Sequence, residues 1–301
     1  MTTPVSVPVS VVTGSNSGIG RATAVHLAGR GHEVYATLRN LDAAAKLLAM
    51  ASEAGVEVHP VVMDIAEDDS VRDGIGSVLE QAGRIDVLVN NAGIGGNAVT
   101  EECPIELYAH VMNVNLYGAI RCIQQVLPGM RERGSGAIVN ISSLVGRVCH
   151  VAQSPYYVSK WAMEAMSEGL AHEVAPFGIR VAIIEPGVTK SAIFAKNVDA
   201  PNSSGAYDTQ YRRMFQFYKA GIPQATPPEE VGEVVYEAVT TEHPKLRYAC
   251  SWGGDGMIDG RAAMADEDWV ALGALSDDGD YYAEFARRFG VDIAPADAPA
   301  G

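Results

Sequence analysis

The chain has 301 residues, 48% of them hydrophobic and 20% charged, with a formal net charge of −15. That length and apolar content suffice for one large α/β unit with its own core. The acidic balance argues against nucleic acid as the partner, since neutralising phosphates takes lysine and arginine, but it leaves room for a phosphate-bearing cofactor held locally.

From the N-terminus, "MTTPVSVPVSVV" shows no basic stretch leading into a long apolar run, and no segment is apolar for long enough to span a bilayer. The expectation is a cytoplasmic protein without a membrane partner. Short β-branched runs then alternate with helical patterns. Strands are predicted at 9–14, 32–38, 56–63, 85–93, 136–143, 179–187 and 246–251. Helices are predicted near 18–30, 41–54, 67–82, 104–133, 154–176 and 227–241. Continuous apolar strands alternating with helices predict a parallel sheet covered on both faces. With right-handed crossovers this is an α/β Rossmann-type fold: a single domain over 1–251 with a doubly wound parallel sheet of about seven strands.

Two segments break the rhythm. Residues 190–226 separate a strand from a helix by far more than the usual connection, and contain Tyr207, Tyr211, Met214, Phe215, Phe217 and Tyr218. They are expected to form a substrate lid, an amphipathic helix packed on the body, or both. Residues 252–301 are expected to be an acidic, partly helical C-terminal extension with a disordered end, since 251–301 carries eleven Asp/Glu against three Arg. Cys103, Cys122, Cys149 and Cys250 form no CxxC pair and no metal-ligand spacing, which suggests a reducing compartment and no metal site.

"VVTGSNSGIGRA" runs a buried strand into Gly14, Gly18 and Gly20 and straight into a helix. Glycines there permit tight backbone angles and close approach of a pyrophosphate, and the helix start offers free N–H groups. At the end of the second strand, Leu38 stands where an acid would favour NAD, and Arg39 follows. A guanidinium suits a 2′-phosphate, so NADP(H) is favoured, with NAD(H) possible. Asp64 after the third strand is either an adenine contact or a helix cap. Asn90 and Asn91 at the end of the fourth strand either brace the backbone or touch a ribose.

"SPYYVSKWAME" places Tyr156 and Lys160 four residues apart, hence on one helix face; Tyr157 falls off that face. An ammonium one turn away is expected to lower the phenol's pKa towards neutrality and make it an acid/base. Alone the pair is weak, because twelve tyrosines and six lysines produce one by chance in roughly a quarter of such chains. Its context is stronger: a glycine turn, "NNAG", and Ser143 at a strand end thirteen residues upstream.

Taken together, TGxxxGIG (13–20), NNAG (90–93), Asn115 of "NVNLYG", Ser143 of "ISS", YxxxK (156–160) and "PG" (186–187) resemble the short-chain dehydrogenases/reductases, in order and spacing, over about residues 5–250. The resemblance implies a catalytic tetrad of Asn115, Ser143, Tyr156 and Lys160. Tyr156 would exchange the proton, Ser143 position the substrate oxygen, Lys160 lower the tyrosine pKa and hold ribose hydroxyls, and Asn115 support a water. It implies cofactor contacts at Gly14, Ser15, Asn16, Ser17, Gly18, Ile19, Gly20, Arg39, Asp64, Ile65, Asn91, Ala92, Gly93, Tyr156, Lys160, Pro186, Gly187, Val188, Thr189 and Ser191, where Ser191 stands in for a common Thr and Thr189 for a common Val. It also implies a homodimer or homotetramer paired through helices 104–133 and 154–176.

"VYATLRN", "RIDVLVNNAG", "RGSGAIVNISS" and "LRYA" resemble the branch with 17β-hydroxysteroid and retinol dehydrogenases. That implies a lipophilic secondary alcohol or ketone, steroid-, retinoid- or lipid-like. Val148, Cys149, His150, Phe194 and Phe215 are the expected pocket residues. The competing readings are a non-catalytic nucleotide-binding or regulatory protein, which the intact tetrad opposes, and epimerisation or dehydration.

Overall fold

The strands are short, and alternate residues within each are buried on opposite faces. In a computed structural model, which describes residues 7–191 and 201–295, they are β1 (Val9–Val12), β2 (Glu33–Leu38), β3 (His59–Val62), β4 (Val87–Asn90), β5 (Gly136–Ile141), β6 (Ile179–Pro186) and β7 (Arg247–Cys250). All pair in parallel, in the order β3-β2-β1-β4-β5-β6-β7. The order reverses between β1 and β4, which opens a crevice at the strands' C-terminal edge.

The helices are α1 (Gly18–Gly29), α2 (Ala45–Glu53), α3 (Asp68–Ala82), α4 (Ile105–Met112), α5 (Gly118–Arg133), α6 (Ser154–Val174), α7 (Asp208–Gly221), α8 (Pro228–Thr240), α9 (Gly254–Ala262), α10 (Asp266–Ala274) and α11 (Asp278–Phe289). One core layer sets Val12, Ala36, Val89 and Val139 of the sheet against α1, α2 and α8. The other sets Val11, Tyr35, Leu88 and Ile138 against α3, α5 and α6. A residue and its strand neighbour thus serve opposite layers, which makes this the doubly wound fold expected.

Three differences from expectation have physical causes. Strand tails such as 91–93 leave the sheet early, where their backbone turns into loops around the crevice. The helix expected at 104–133 is interrupted by a π-helical turn, Asn113–Tyr117, of the kind that concentrates at functional sites. The C-terminal extension is helical as expected, but up to residue 295 it packs into the body of the protein. Phe285, Phe289, Tyr281 and Ile293 are buried in one cluster with Met214 and Phe217 of α7 and with Leu144 and Val148. Most of its acids are exposed, while Tyr281, Phe285 and Phe289, four residues apart, form the inward stripe. Residues 296–301 lie outside the described residues.

Candidate active site

The loops after β1, β2, β3, β4, β5 and β6 converge on a cavity of about 730 Å³. After β1 the chain turns at Gly14, whose φ of +69° favours glycine; a Cβ there would lie 2.8 Å from the Ala92 Cα. Helix α1 then begins behind Ser17, with no side-chain cap and no acid in its first turn. Its free N–H groups and positive dipole end therefore remain available to an anion. Gly14, Asn16, Ser17, Gly18 and Ile19 line the cavity. Ser15 is buried instead, its hydroxyl donating to the Val12 carbonyl at 2.9 Å, and Gly20 packs under Asn91.

Arg39 lines the same cavity and is exposed. Neighbouring Asn40 turns back to accept from the Asp42 N–H at 2.9 Å. Asp64 and Ile65 line the adjoining wall. The Asp64 carboxylate accepts from the Ala66 N–H at 3.0 Å, so it braces its own turn as well as facing the cavity. Asn90 donates to Asn140 at 2.9 Å and Asn91 to the Thr13 carbonyl at 2.8 Å. The Asn91 amide therefore braces backbone and that of Asn90 ties β4 to the Asn140 side chain of β5, while Asn91, Ala92 and Gly93 form cavity wall. The Thr13 hydroxyl accepts from the N–H groups of Asn91 and Ala92, each at 3.0 Å. Sequence reasoning missed this tie between β1 and the NNAG loop, although the threonine sits in the quoted motif.

Ser143, Tyr156 and Lys160 meet in the cavity wall. Ser143 lies just beyond β5, and its hydroxyl donates to the Pro186 carbonyl at 3.3 Å and accepts from the Val145 N–H at 3.3 Å. Lys160 is buried and donates to the Ile141 carbonyl at 2.8 Å. Burial pushes its pKa down to about 8, against the opposing pull of the Glu164 carboxylate. The phenol of Tyr156 departs from expectation: burial pushes its pKa up to about 12, with only the Ser143 hydroxyl pulling it down. In the protein alone, desolvation of the phenolate outweighs any help from the ammonium. Asn115 stands behind the wall. Its amide grips Ile94 from both sides, donating to the carbonyl at 2.9 Å and accepting from the N–H at 2.8 Å, and it donates to Ser159 at 2.9 Å. The π turn aims Asn115 this way.

After β6, Pro186, Gly187, Val188, Thr189 and Ser191 form a strap along the cavity. Thr189 donates to the Ser251 hydroxyl at 2.8 Å, and Ser191 closes over Gly18, where a Cβ would come within 3.1 Å of the serine Cβ. The apolar end is walled by Leu144, Val145, Val188 and Phe217, with Gln153 and Tyr218 among them. Of the expected pocket residues, Val148 is buried in the core beneath this end. His150 is buried with its ring 4.5 Å from that of Phe217, and burial pushes its pKa down to about 4. Cys149 is half-buried off the cavity, and Phe215 is exposed on the outer face of α7. Phe194 lies outside the described residues. The aromatic face of α7 thus enters the cavity through Phe217 and Tyr218, two and three residues beyond the Phe215 expected to line it.

The cleft thus joins a glycine cradle, a Ser–Tyr–Lys wall and an apolar end, and comparison with known proteins says which family it belongs to. The short chain dehydrogenase family model matches residues 8–202. Bacillus subtilis YusZ, an uncharacterized oxidoreductase, is 34% identical over 252 residues, 81% of this chain and 89% of the relative. Mouse 17-beta-hydroxysteroid dehydrogenase type 1 is 37% identical over 252 residues, 80% of this chain and 72% of the relative. A solved short-chain dehydrogenase from Streptomyces avermitilis superimposes with a TM-score of 0.79 at 31% identity, covering 95% of this chain and 99% of that one. The chain belongs to the short-chain dehydrogenase family and is an NAD(P)-dependent oxidoreductase acting between alcohols and ketones. Among the described residues no helix is long and apolar enough to cross a membrane.

Proposed function

We propose that this protein interconverts a lipophilic secondary alcohol and its ketone with NADP(H), using Tyr156 as the acid/base. The observation that carries the reading is the meeting of Ser143, Tyr156 and Lys160 in the wall of one cavity, between a glycine cradle and an apolar end. In reduction the Tyr156 hydroxyl gives its proton to the substrate oxygen; in oxidation it takes the proton back. Ser143 hydrogen-bonds the same oxygen and stabilises the negative charge that develops on it. Lys160, its ammonium 5.7 Å from the Tyr156 ring centroid, favours the phenolate form, and Asn115 fixes the 94 loop beside it.

The uncapped start of α1 and Gly14 suit a pyrophosphate, and the bound dinucleotide supplies or accepts the hydride. The preference for NADP(H) rests on Arg39: it faces the cavity, and Leu38 leaves no carboxylate to repel a 2′-phosphate. The lipophilic substrate class rests on the apolar end and on the likeness to the hydroxysteroid dehydrogenase. A panel of steroid, retinoid and aliphatic ketones and alcohols, assayed with NADPH and NADH at the nicotinamide absorbance, tests the reading. Turnover of none of them would sink it.

The exposed side chains Ile105, Tyr117, Val158 and Trp161 lie on α4, the π turn and α6, the faces that pair in the homodimer or homotetramer we propose. Light scattering at working concentration is expected to exceed the monomer mass; a monomer would reject the assembly. We place the protein in the cytoplasm, to be checked by fractionation.

A further inference from the structure

One polar patch interrupts the apolar end of the cavity. Gln153, which precedes α6, and Tyr218 of α7 both line it, and both are buried. The Gln153 amide donates to the Tyr218 hydroxyl, which donates in turn to Asn97 at 3.2 Å. That chain uses one atom of the Gln153 amide. The other makes no hydrogen bond to protein among the described residues, yet it is not sealed from the cavity. A glutamine amide carries two donors and one acceptor, so capacity for both roles remains. Setting such a group in an apolar wall costs about 1–3 kcal/mol unless a partner satisfies it.

Tyr218 and Asn97 hold the amide in one orientation, which is how a specificity contact is kept ready rather than mobile. The neighbouring wall, Leu144, Val145, Val188 and Phe217, carries no charge. The charged lining groups lie elsewhere: Arg39 after β2, Asp64 and Glu67 after β3, and Lys160 behind Tyr156. A carboxylate would therefore find no counter-ion here, whereas a hydroxyl or carbonyl finds a matched amide. Gln153 caps α6 and its carbonyl accepts from the Tyr156 N–H at 3.0 Å, so the group its side chain meets lies close to the reacting carbon.

Building on the oxidoreductase reading above, we infer that Gln153, held by Tyr218, is a substrate-binding residue that selects ketones bearing a second, uncharged oxygen a few bonds from the reacting carbonyl. The substrate class is then a β-oxygenated lipophilic ketone rather than a simple one. A site built to hydrogen-bond a substrate oxygen discriminates strongly against analogues lacking it, because its own polar group is left unpaired.

The test uses methyl 3-oxodecanoate and 3-decanone, which share an alkyl chain and differ in the ester oxygens. Gln153→Leu is expected to lower kcat/KM for the ester by about tenfold while leaving that for 3-decanone within about twofold. Tyr218→Phe, which frees the amide without removing it, is expected to shift the same ratio in the same direction by less. It decides the matter should Gln153→Leu fail to fold by circular dichroism. Equal losses on both ketones, an unchanged ratio, or wild-type turnover of 3-decanone alone would each overturn the inference. Inertness towards both probes would overturn it too, while the oxidoreductase reading would stand if any ketone of the wider panel reacted and fall if none did.

Discussion

Lys160 holds its ammonium 5.7 Å from the centroid of the Tyr156 ring and donates to the carbonyl of Ile141 at 2.8 Å. The lysine is anchored on the sheet and faces its partner's ring, while Tyr156 and Ser143 share the cavity wall. This division of labour makes Tyr156 the group to test. Tyr156→Phe removes the hydroxyl and leaves the ring in place. It is expected to lower kcat by at least about 10²–10⁴ while NADPH binding, followed by nicotinamide fluorescence, is retained. Near-normal turnover would remove Tyr156 from the proton transfer.

Arg39 is exposed at the cavity wall, with Asn40 committed to its own turn. If the guanidinium meets a 2′-phosphate, Arg39→Leu costs a charge-assisted hydrogen bond. That predicts a rise of about tenfold to a hundredfold in KM for NADPH and little change for NADH. Steady-state kinetics with both cofactors is the check, and equal effects on the two would dismiss Arg39 as the reader.

Much of this was visible in the chain itself, for reasons particular residues show. Gly14, Ser143, Tyr156 and Lys160 were readable because each depends on local geometry: a turn, a strand end, a helix face. The sheet was readable because runs like Val9–Val12 and Val87–Asn90 are buried on both sides. The π turn holding Asn115 was not, since one extra residue in a helical turn leaves no mark in apolar periodicity. Nor was the packing of α11 under α7. Composition counted its acids, while the stripe Tyr281–Phe285–Phe289 that decides burial occupies only three positions. Gln153 escaped notice because its role depends on Tyr218, distant in sequence and brought to it only by the fold.

His150 is buried against Phe217, and burial pushes its pKa down to about 4. The unfolded chain holds its proton up to the ordinary value of 6.5. Between those values the unfolded state binds more protons, so stability falls as pH drops from about 6.5 to about 4. At pH 5 the penalty from this one group is on the order of 2 kcal/mol relative to neutral pH. His150→Gln keeps a polar side chain without the titration. Urea midpoints for the two proteins at pH 7 and pH 5 are expected to diverge, with wild type losing more. Parallel losses would assign the acid sensitivity to other groups.

Asp278 at the start of α11 accepts from Arg213 of α7 at 2.9 Å and from Arg212 at 2.6 Å. The two arginines differ in burial: the Arg213 side chain is 4% exposed and Arg212 53%. Arg213 is further held by the Leu275 carbonyl at 2.7 Å and lies 4.0 Å from the Tyr281 ring centroid. Removing the acid strands the buried guanidinium, a change that usually costs about 3–5 kcal/mol; the remaining partners bring the expectation for Asp278→Ala to about 2–3 kcal/mol. Arg212→Ala, on the solvent side, is expected to cost less than about 1 kcal/mol. Because α7 also presents Phe217 and Tyr218 to the cavity, Asp278→Ala is further expected to raise KM for the ketone more than KM for NADPH. A stability loss with both KM values unchanged would reduce the C-terminal helices to a prop with no hand in shaping the pocket.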